Sequence, residues 1–409
     1  MKPFFVRVLP LFLGLSAVPA LAQNLPDLPE GPGKEIVGTV CNSCHSVARA
    51  FSGYSPQGWN TVLRMMSNHG LNLSGEQASL VREYLVKNFP EQPKPAANIV
   101  PGPLNVSIKA WQVPTPGSRP HDPLATRDGA LWYTGQMAGV LGRLDPRIGQ
   151  IKEFPLKPAH SGPHGLVEDR EGNIWYTGNA LGLIGKLDPK TGVNAVYAMP
   201  DPAVKDPHTL MFDESGILWF TAQNANRVGR LDPKNGEIKL LTPPTANSRP
   251  YGMVVDSKGN IFYVAFGTNK IGRVDPRTLA IHEYTLPNAA SRPRRISITA
   301  DDLIWYADYS RGYLGQLDAA TGKVKEWPSP SGAKSQPYGM SAIKGAIWYS
   351  ESGTKPGTVV RFDPKTEKFQ SWAIPGGGDI VRNTSVTADG AFVLANSLSN
   401  EVTLVTPLP

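Results

Sequence analysis

Cysteine is almost absent from this sequence: two residues in 409. That excludes a fold stapled by disulfides. Long apolar runs are equally scarce. Only Val8–Val18 approaches one, and it is interrupted by Pro10, Gly14 and Ser16. It is too short to span hydrocarbon about 30 Å thick, so no membrane span is expected after processing. Charge of a single sign is lacking too. The 41 Lys and Arg are scattered among 34 Asp and Glu, a mildly basic balance that does not point to nucleic acid. No glycine-rich nucleotide or flavin motif occurs.

What is present begins with an export pattern. Lys2 and Arg7 precede the apolar segment, and Ala20-Leu21-Ala22 offers a small-x-small cleavage site. Residues 1–22 read as a signal peptide, the mature chain begins at Gln23, and a periplasmic location follows. Removal of Lys2 and Arg7 would lower the formal charge from +7 to +5.

The two cysteines stand in Cys41-Asn42-Ser43-Cys44-His45. In an exported protein a lone pair suggests a disulfide, but the adjoining histidine changes the reading. C-x-x-C-H is the attachment signature of c-type haem, with two thioethers to the porphyrin and the histidine as proximal iron ligand. One covalent haem c is expected on Cys41, Cys44 and His45. Residues 30–90 resemble a small class I cytochrome c domain. A first helix ends near Val40, a second covers Trp59–Asn68, and a third starts at Ser74, with Gln77 completing a capping box. The resemblance implies a sixth ligand from the middle helix. Met66 is the first choice, standing four residues before Gly70, followed by Met65 and then His69. A thioether ligand suits electron transfer.

The all-α segment, 23–89, gives way to a proline-rich stretch, 90–105, with Pro90, Pro93, Pro95, Pro101 and Pro103. It reads as a semi-rigid linker. Beyond it, from 106 to 409, the chain repeats. Aromatic cores beginning at Leu131, Ile174, Leu218, Ile261, Ile304, Ile347 and Ala391 lie 43 or 44 residues apart. A second marker, Gly142-Arg143-Leu144-Asp145-Pro146, recurs from Gly185, Gly229 and Gly272 and more loosely from Gly315 and Val360. A period in the forties with short strands and Gly/Pro turns predicts an all-β propeller of seven blades. Val106–Val113 matches the outermost strand of the other repeats, and the last repeat lacks one. The N-terminal strand should therefore close the ring and remove its open edges.

The repeats resemble the virginiamycin B lyase (streptogramin lyase) family through Pro163-His164-Gly165-Leu166, Ile174-Trp175-Tyr176-Thr177 and Ile184-Gly185-Lys186-Leu187-Asp188. The likeness covers roughly residues 106–407 and implies a seven-bladed propeller. It also implies Mg-assisted elimination on a cyclic depsipeptide by a His and a Glu of one blade, with another Glu on the metal. The position after the proline that opens each innermost strand holds His121, His164, His208, Tyr251, Arg294, Tyr338 and Arg382. The position closing each aromatic core holds Gly135, Gly178, Ala222, Ala265, Asp308, Glu351 and Asn396. No blade combines His with Glu, so the lyase arrangement is missing. Asp308 is expected to pair with Arg294.

The first set should converge at one mouth of the channel. Three imidazoles on successive blades would suit a divalent metal, with Tyr251 or Tyr338 nearby. Arg294, Arg295 and Arg382 would hold a small anionic substrate. His160 is placed at the same mouth, and His282 on an outer strand. The candidate working residues are thus His121, His164, His208, Tyr251, Arg294, Tyr338 and Glu351. The leading expectation is an electron-transferring oxidoreductase that exchanges electrons with a periplasmic partner such as another cytochrome. A non-catalytic carrier with a docking propeller, and a C–O lyase, are the alternatives.

Overall fold

The computed structural model describes residues 27–43, 45–378 and 380–408. The proposed signal peptide and Cys44 lie outside them. Contacts divide the chain into two units. One holds residues up to Gly53 with Leu73–Phe89, and the other holds Tyr54–Asn72 with everything from Pro90 onward. Among the described residues no helix is long and apolar enough to cross a membrane.

In the first unit α1 (Lys34–Thr39) meets the last of three α-helices, Gly75–Asn88. Gly33 makes this possible. It stands in a left-handed conformation (φ 94°), and a Cβ there would meet the Leu80 carbonyl and the Tyr84 Cβ at 2.9 Å. Val37, Val81, Tyr84 and Leu85 are buried. The helix at Gly75 carries the expected reciprocal capping box between Ser74 and Gln77. The middle helix, α2 (Pro56–Asn68), groups instead with the β domain. Its Asn68 amide donates to the carbonyls of Pro116 and Gly117, and Thr61 donates to the Leu398 carbonyl. Gly117 has φ 69°, and a Cβ on it would collide with the Arg64 side chain at 2.8 Å. The expected self-standing three-helix domain over 23–89 is therefore not evident.

The β domain is a ring of seven four-stranded antiparallel sheets. Val106–Gln112 pairs with Glu401–Pro407, so the first strand completes the last blade as the repeat count requires. Within each blade the aromatic strand is buried along its length, with Trp132, Trp175, Trp219, Trp305 and Trp348 packed between sheets. The glycine of the second marker has a steric reason. Gly142, Gly185, Gly229, Gly272 and Gly315 each face an aromatic residue across the strand pair. A Cβ there would sit 2.0–2.1 Å from the ring. The ring lies over the bare backbone, and the two repeat markers are one packing unit.

The stretch 90–105 departs from the spacer expectation. It runs along the sixth blade, where Val100 exchanges backbone and side-chain hydrogen bonds with Ser371 and Asn98 bonds Ser331 and Pro330. The Lys355 N–H donates to the Pro95 carbonyl. Proline removes the donors that a regular strand would need, so the segment is fixed by scattered polar contacts rather than a ladder.

Candidate functional site

Every innermost strand carries the same irregularity. Its register against the second strand slips just after the opening Pro or Val, as between Pro120 and Pro123 or Pro207 and Leu210. A bulge of this kind re-aims a side chain and leaves backbone groups unpaired. In the first three blades a buried threonine hydroxyl of the aromatic core repairs the damage. Thr177 accepts the Gly165 N–H at 2.8 Å and donates to the His208 carbonyl of the next blade at 2.7 Å. Thr134 does the same for Asp122 and His164. In the first three blades the threonine of the repeat is thus the device that holds the mouth residues in place.

The seven bulged side chains meet as expected. His121, His164, His208, Tyr251, Arg294, Tyr338 and Arg382 all line one cavity of about 210 Å³. His121 and His164 have ring centroids 3.7 Å apart, His164 and His208 3.8 Å, and His208 and Tyr251 3.9 Å. The Tyr251 hydroxyl then reaches the Tyr338 hydroxyl at 2.5 Å. The three histidines are held well below their ordinary pKa, by burial first and then by neighbouring arginines or imidazoles. They are uncharged at neutral pH.

Arg295, expected at the mouth with Arg294 and Arg382, lies beneath it instead, in a floor whose other members sequence reasoning missed. Asp122 stands where Gly165, Gly252 and Gly339 stand in other blades, and Arg295 is its counterpart on the fifth. Arg295 reaches inward, donating to the Arg382 carbonyl at 2.7 Å, Thr209 at 3.0 Å and Asp122 at 3.4 Å. Asp122 also accepts from Asn383 at 2.7 Å and lies 2.7 Å from His121 Nδ1. This buried network ties together residues of four blades beneath the mouth. Breaks in the glycine at the position after each mouth residue were the available signal. Further wall residues sit at fixed repeat positions too. Arg119 and Asp206 precede the opening prolines, while Gln136, Asn179 and Gln223 follow the aromatic cores.

Several expectations fail for identifiable reasons. Arg294 does not pair with Asp308. Its guanidinium lies within cation–π range of Tyr338 (4.0 Å), Tyr309 (4.3 Å) and Phe266 (4.7 Å). Asp308 instead meets Arg311 at 3.2 Å and accepts the Arg292 N–H. Glu351 does not line the mouth. Its buried carboxylate accepts from Thr358 of its own blade and from Ser329 and Ser331 of the connection leading into it. His160 does not line the mouth; it is exposed, 5.7 Å from the His69 ring. His282 lies on an outer strand, as expected.

The charge of the mouth decides what it suits. His121, Asp122 and His164 bring one ligand atom each within 4.8 Å, yet Asp122 is already committed to Arg295 and Asn383. Arg119, Arg294 and Arg382 line the wall, and Arg295 lies beneath. Burial and the repulsion of Arg382 push Arg119 down to about 9. Four guanidiniums around one small space oppose a divalent cation and favour an anion. Buried His164 Nδ1, Arg294 Nε and Arg382 Nε have no hydrogen-bond partner among the described residues, so the wall keeps directional groups for a ligand.

Comparison with known proteins agrees with this architecture. Among solved structures, a streptogramin B lyase superposes with a TM-score of 0.68 at 25% identity, covering 74% of this chain and 98% of its own. A catalytically inactive His-to-Ala variant of virginiamycin B lyase from Staphylococcus aureus, with quinupristin, gives 0.67 at 22% identity over 74% and 99%. Hydrazine synthase of Kuenenia stuttgartiensis shares the fold at 0.61 and 13% identity, over 71% and 96%. A search of curated proteins finds no match. Residues 98–362 match the sequence profile of the virginiamycin B lyase family, and the chain belongs to that family.

Proposed function

We propose that this protein is a periplasmic, haem c-carrying oxidoreductase whose propeller mouth binds a small anionic substrate. The observation that carries the reading is the mouth: three wall guanidiniums and three uncharged imidazoles around about 210 Å³, underlain by Arg295. That volume is below the roughly 300–1,000 Å³ of sites for drug-sized ligands. It suits a carboxylate, sulfonate or phosphate of few atoms better than a cyclic depsipeptide.

The described part of the attachment motif supports the haem. Cys41 opens a half-buried 3-10 turn, and His45 Nδ1 lies 3.1 Å from the Ser46 carbonyl. A hydrogen bond there keeps the proton on Nδ1 and leaves Nε2 as the lone-pair donor, the tautomer an iron-ligating histidine needs. Cys41 and Cys44 would carry the thioethers, and His45 and Met66 would hold the iron. Met65 is buried, whereas Met66 is only half-buried. Haem c, when bound, takes up or releases one electron at a time. The chain's own contribution is to hold the anion on Arg119 and Arg382, screen it from bulk water and present His121 in the orientation set by Asp122. Electrons would pass to or from a second periplasmic cytochrome.

Family membership favours a second reading, ring-opening elimination. The missing His–Glu pair and the absence of net electron flow in an elimination count against it. The deciding experiment is periplasmic production with the cytochrome maturation machinery, then a screen of small carboxylates, sulfonates and phosphates that watches the haem absorbance. A red protein reduced or oxidised by one such anion is expected. A colourless product, or haem released by acid-acetone, overturns the haem reading. Covalent haem that responds to no anion, together with turnover of a streptogramin, overturns the oxidoreductase reading.

A further inference from the structure

The Tyr251–Tyr338 contact holds more chemistry than a wall requires. These phenols come from blades four and six, both nearly fully buried, and their oxygens are 2.5 Å apart. Two neutral phenols facing each other carry two protons but can form only one hydrogen bond between them. The second proton must point elsewhere, and the groups packed against the two rings include guanidiniums. Arg294 lies 4.0 Å from the Tyr338 ring and 5.3 Å from the Tyr251 ring, and Arg295 lies 5.0 Å from the Tyr251 ring. Guanidiniums only donate. A hydroxyl proton placed among those cations is unfavourable on Coulomb grounds.

We propose that Tyr251 and Tyr338 hold a single proton between them, and that the pair is the proton-accepting group of the mouth. Resting on the reading of the mouth as a substrate site, this assigns the base that family resemblance left unfilled. The transfer is simple to balance: a ligand O–H or N–H gives its proton to the pair, which then carries two, and the negative charge passes to the ligand. No electron moves. The ligand anion so formed is met by the same guanidiniums that had stabilised the tyrosinate. The direction of each titration agrees. Burial alone would raise Tyr251, but Arg294 and Arg295 pull it below the ordinary phenol value. Tyr338 is held above it by burial and by Tyr251. The other charged or titratable groups around the pair are His208, Tyr309, Arg119 and Arg382, with His121, His164 and Asp206 on the same cavity wall.

The test needs no substrate. Full-length matured protein, reduced so that the haem is diamagnetic, is labelled with ¹³C at the tyrosine Cζ, and the spectrum is taken at pH 7 without added anion. Of the 13 tyrosines, one equivalent of tyrosinate-type signal is expected. Tyr251→Phe and Tyr338→Phe should each abolish it. Acidification while the fold persists should return it to the phenol position in a single one-proton step. A parent spectrum containing only phenol-type signals overturns the proposal, and this outcome does not depend on either variant folding. A tyrosinate signal that survives both substitutions, or that never protonates before unfolding, also overturns it. Failure of the mouth as an anion site would appear separately, as the absence of acetate or phosphate binding by calorimetry.

Discussion

At the scale of single residues, the mouth works through groups that are costly to bury. His121, His164 and His208 are each 4% exposed or less. Their depressed pKa values make stability pH-dependent with a definite sign. Above about 6.5, the ordinary histidine value, both folded and unfolded chains carry neutral rings. Below it the unfolded chain takes up protons that the folded one refuses, so stability falls as pH falls. Each such histidine contributes about 1.4 kcal/mol per pH unit in that window. The melting temperature of the β domain should therefore drop between pH 7 and pH 5, and less so in His164→Gln. An unchanged melting temperature across that range would show that the rings protonate in place. Arg382 supports the complementary prediction. Hydrogen bonds to charged groups contribute about 1.5–3 kcal/mol, so Arg382→Ala should weaken binding of a small carboxylate roughly ten- to a hundred-fold. Calorimetry on acetate and phosphate checks this, with circular dichroism to confirm that the propeller persists.

Among the elements, the repeat depends on one strand pair. Phe220 lies over Gly229, where an added Cβ would stand 2.0 Å from the ring Cζ. Gly229→Ala should destabilise the domain by about 1–3 kcal/mol through overpacking. Adding Phe220→Leu should recover part of the loss, because the two changes act on one contact and are not additive. Equal and additive losses in a double-mutant cycle would show that the ring and the glycine are not coupled. The sixth blade shows the alternative solution. Val360 replaces the glycine opposite Tyr349, whose hydroxyl lies 2.8 Å from Ser329. Glu351 shares Ser329 with that hydroxyl. A carboxylate that looked like a site residue by position is instead held by three hydroxyls and a backbone N–H.

Over the whole molecule, the question is why a lyase-family propeller should follow a haem-attachment motif. The proposed answer is electron flow, and it makes two predictions. Cys44→Ala should abolish normal covalent haem attachment, read as loss of the haem stain after denaturing electrophoresis. Met66→Ala should lower the reduction potential and remove the weak near-infrared-edge band of Met–Fe(III) coordination. If Met65→Ala does this instead, the ligand is one residue earlier. Nothing in the mouth matches the family's His–Glu arrangement, so incubation with a streptogramin should leave its ring intact by mass spectrometry.

The amino-acid order alone determined the number of blades, the closure by Val106–Gln112 and the seven side chains that face the mouth. These follow from local rules: a fixed period, turn residues at fixed offsets, and one position per repeat that breaks the pattern. Tertiary structure decided what the mouth is for. Asp122, Thr209, Arg295 and Asn383 are separated by tens of residues in the chain, yet three hydrogen bonds, one of them also an ion pair, link them beneath the ring. Arg294 could be assigned to Asp308 on paper because charge suggests partners without giving direction. Only the folded backbone turns it toward four aromatic faces and leaves Asp308 to Arg311. The period of a repeat is read along the chain. Which groups share a cavity depends on how the ring closes, and with it the local dielectric and the sign of the field.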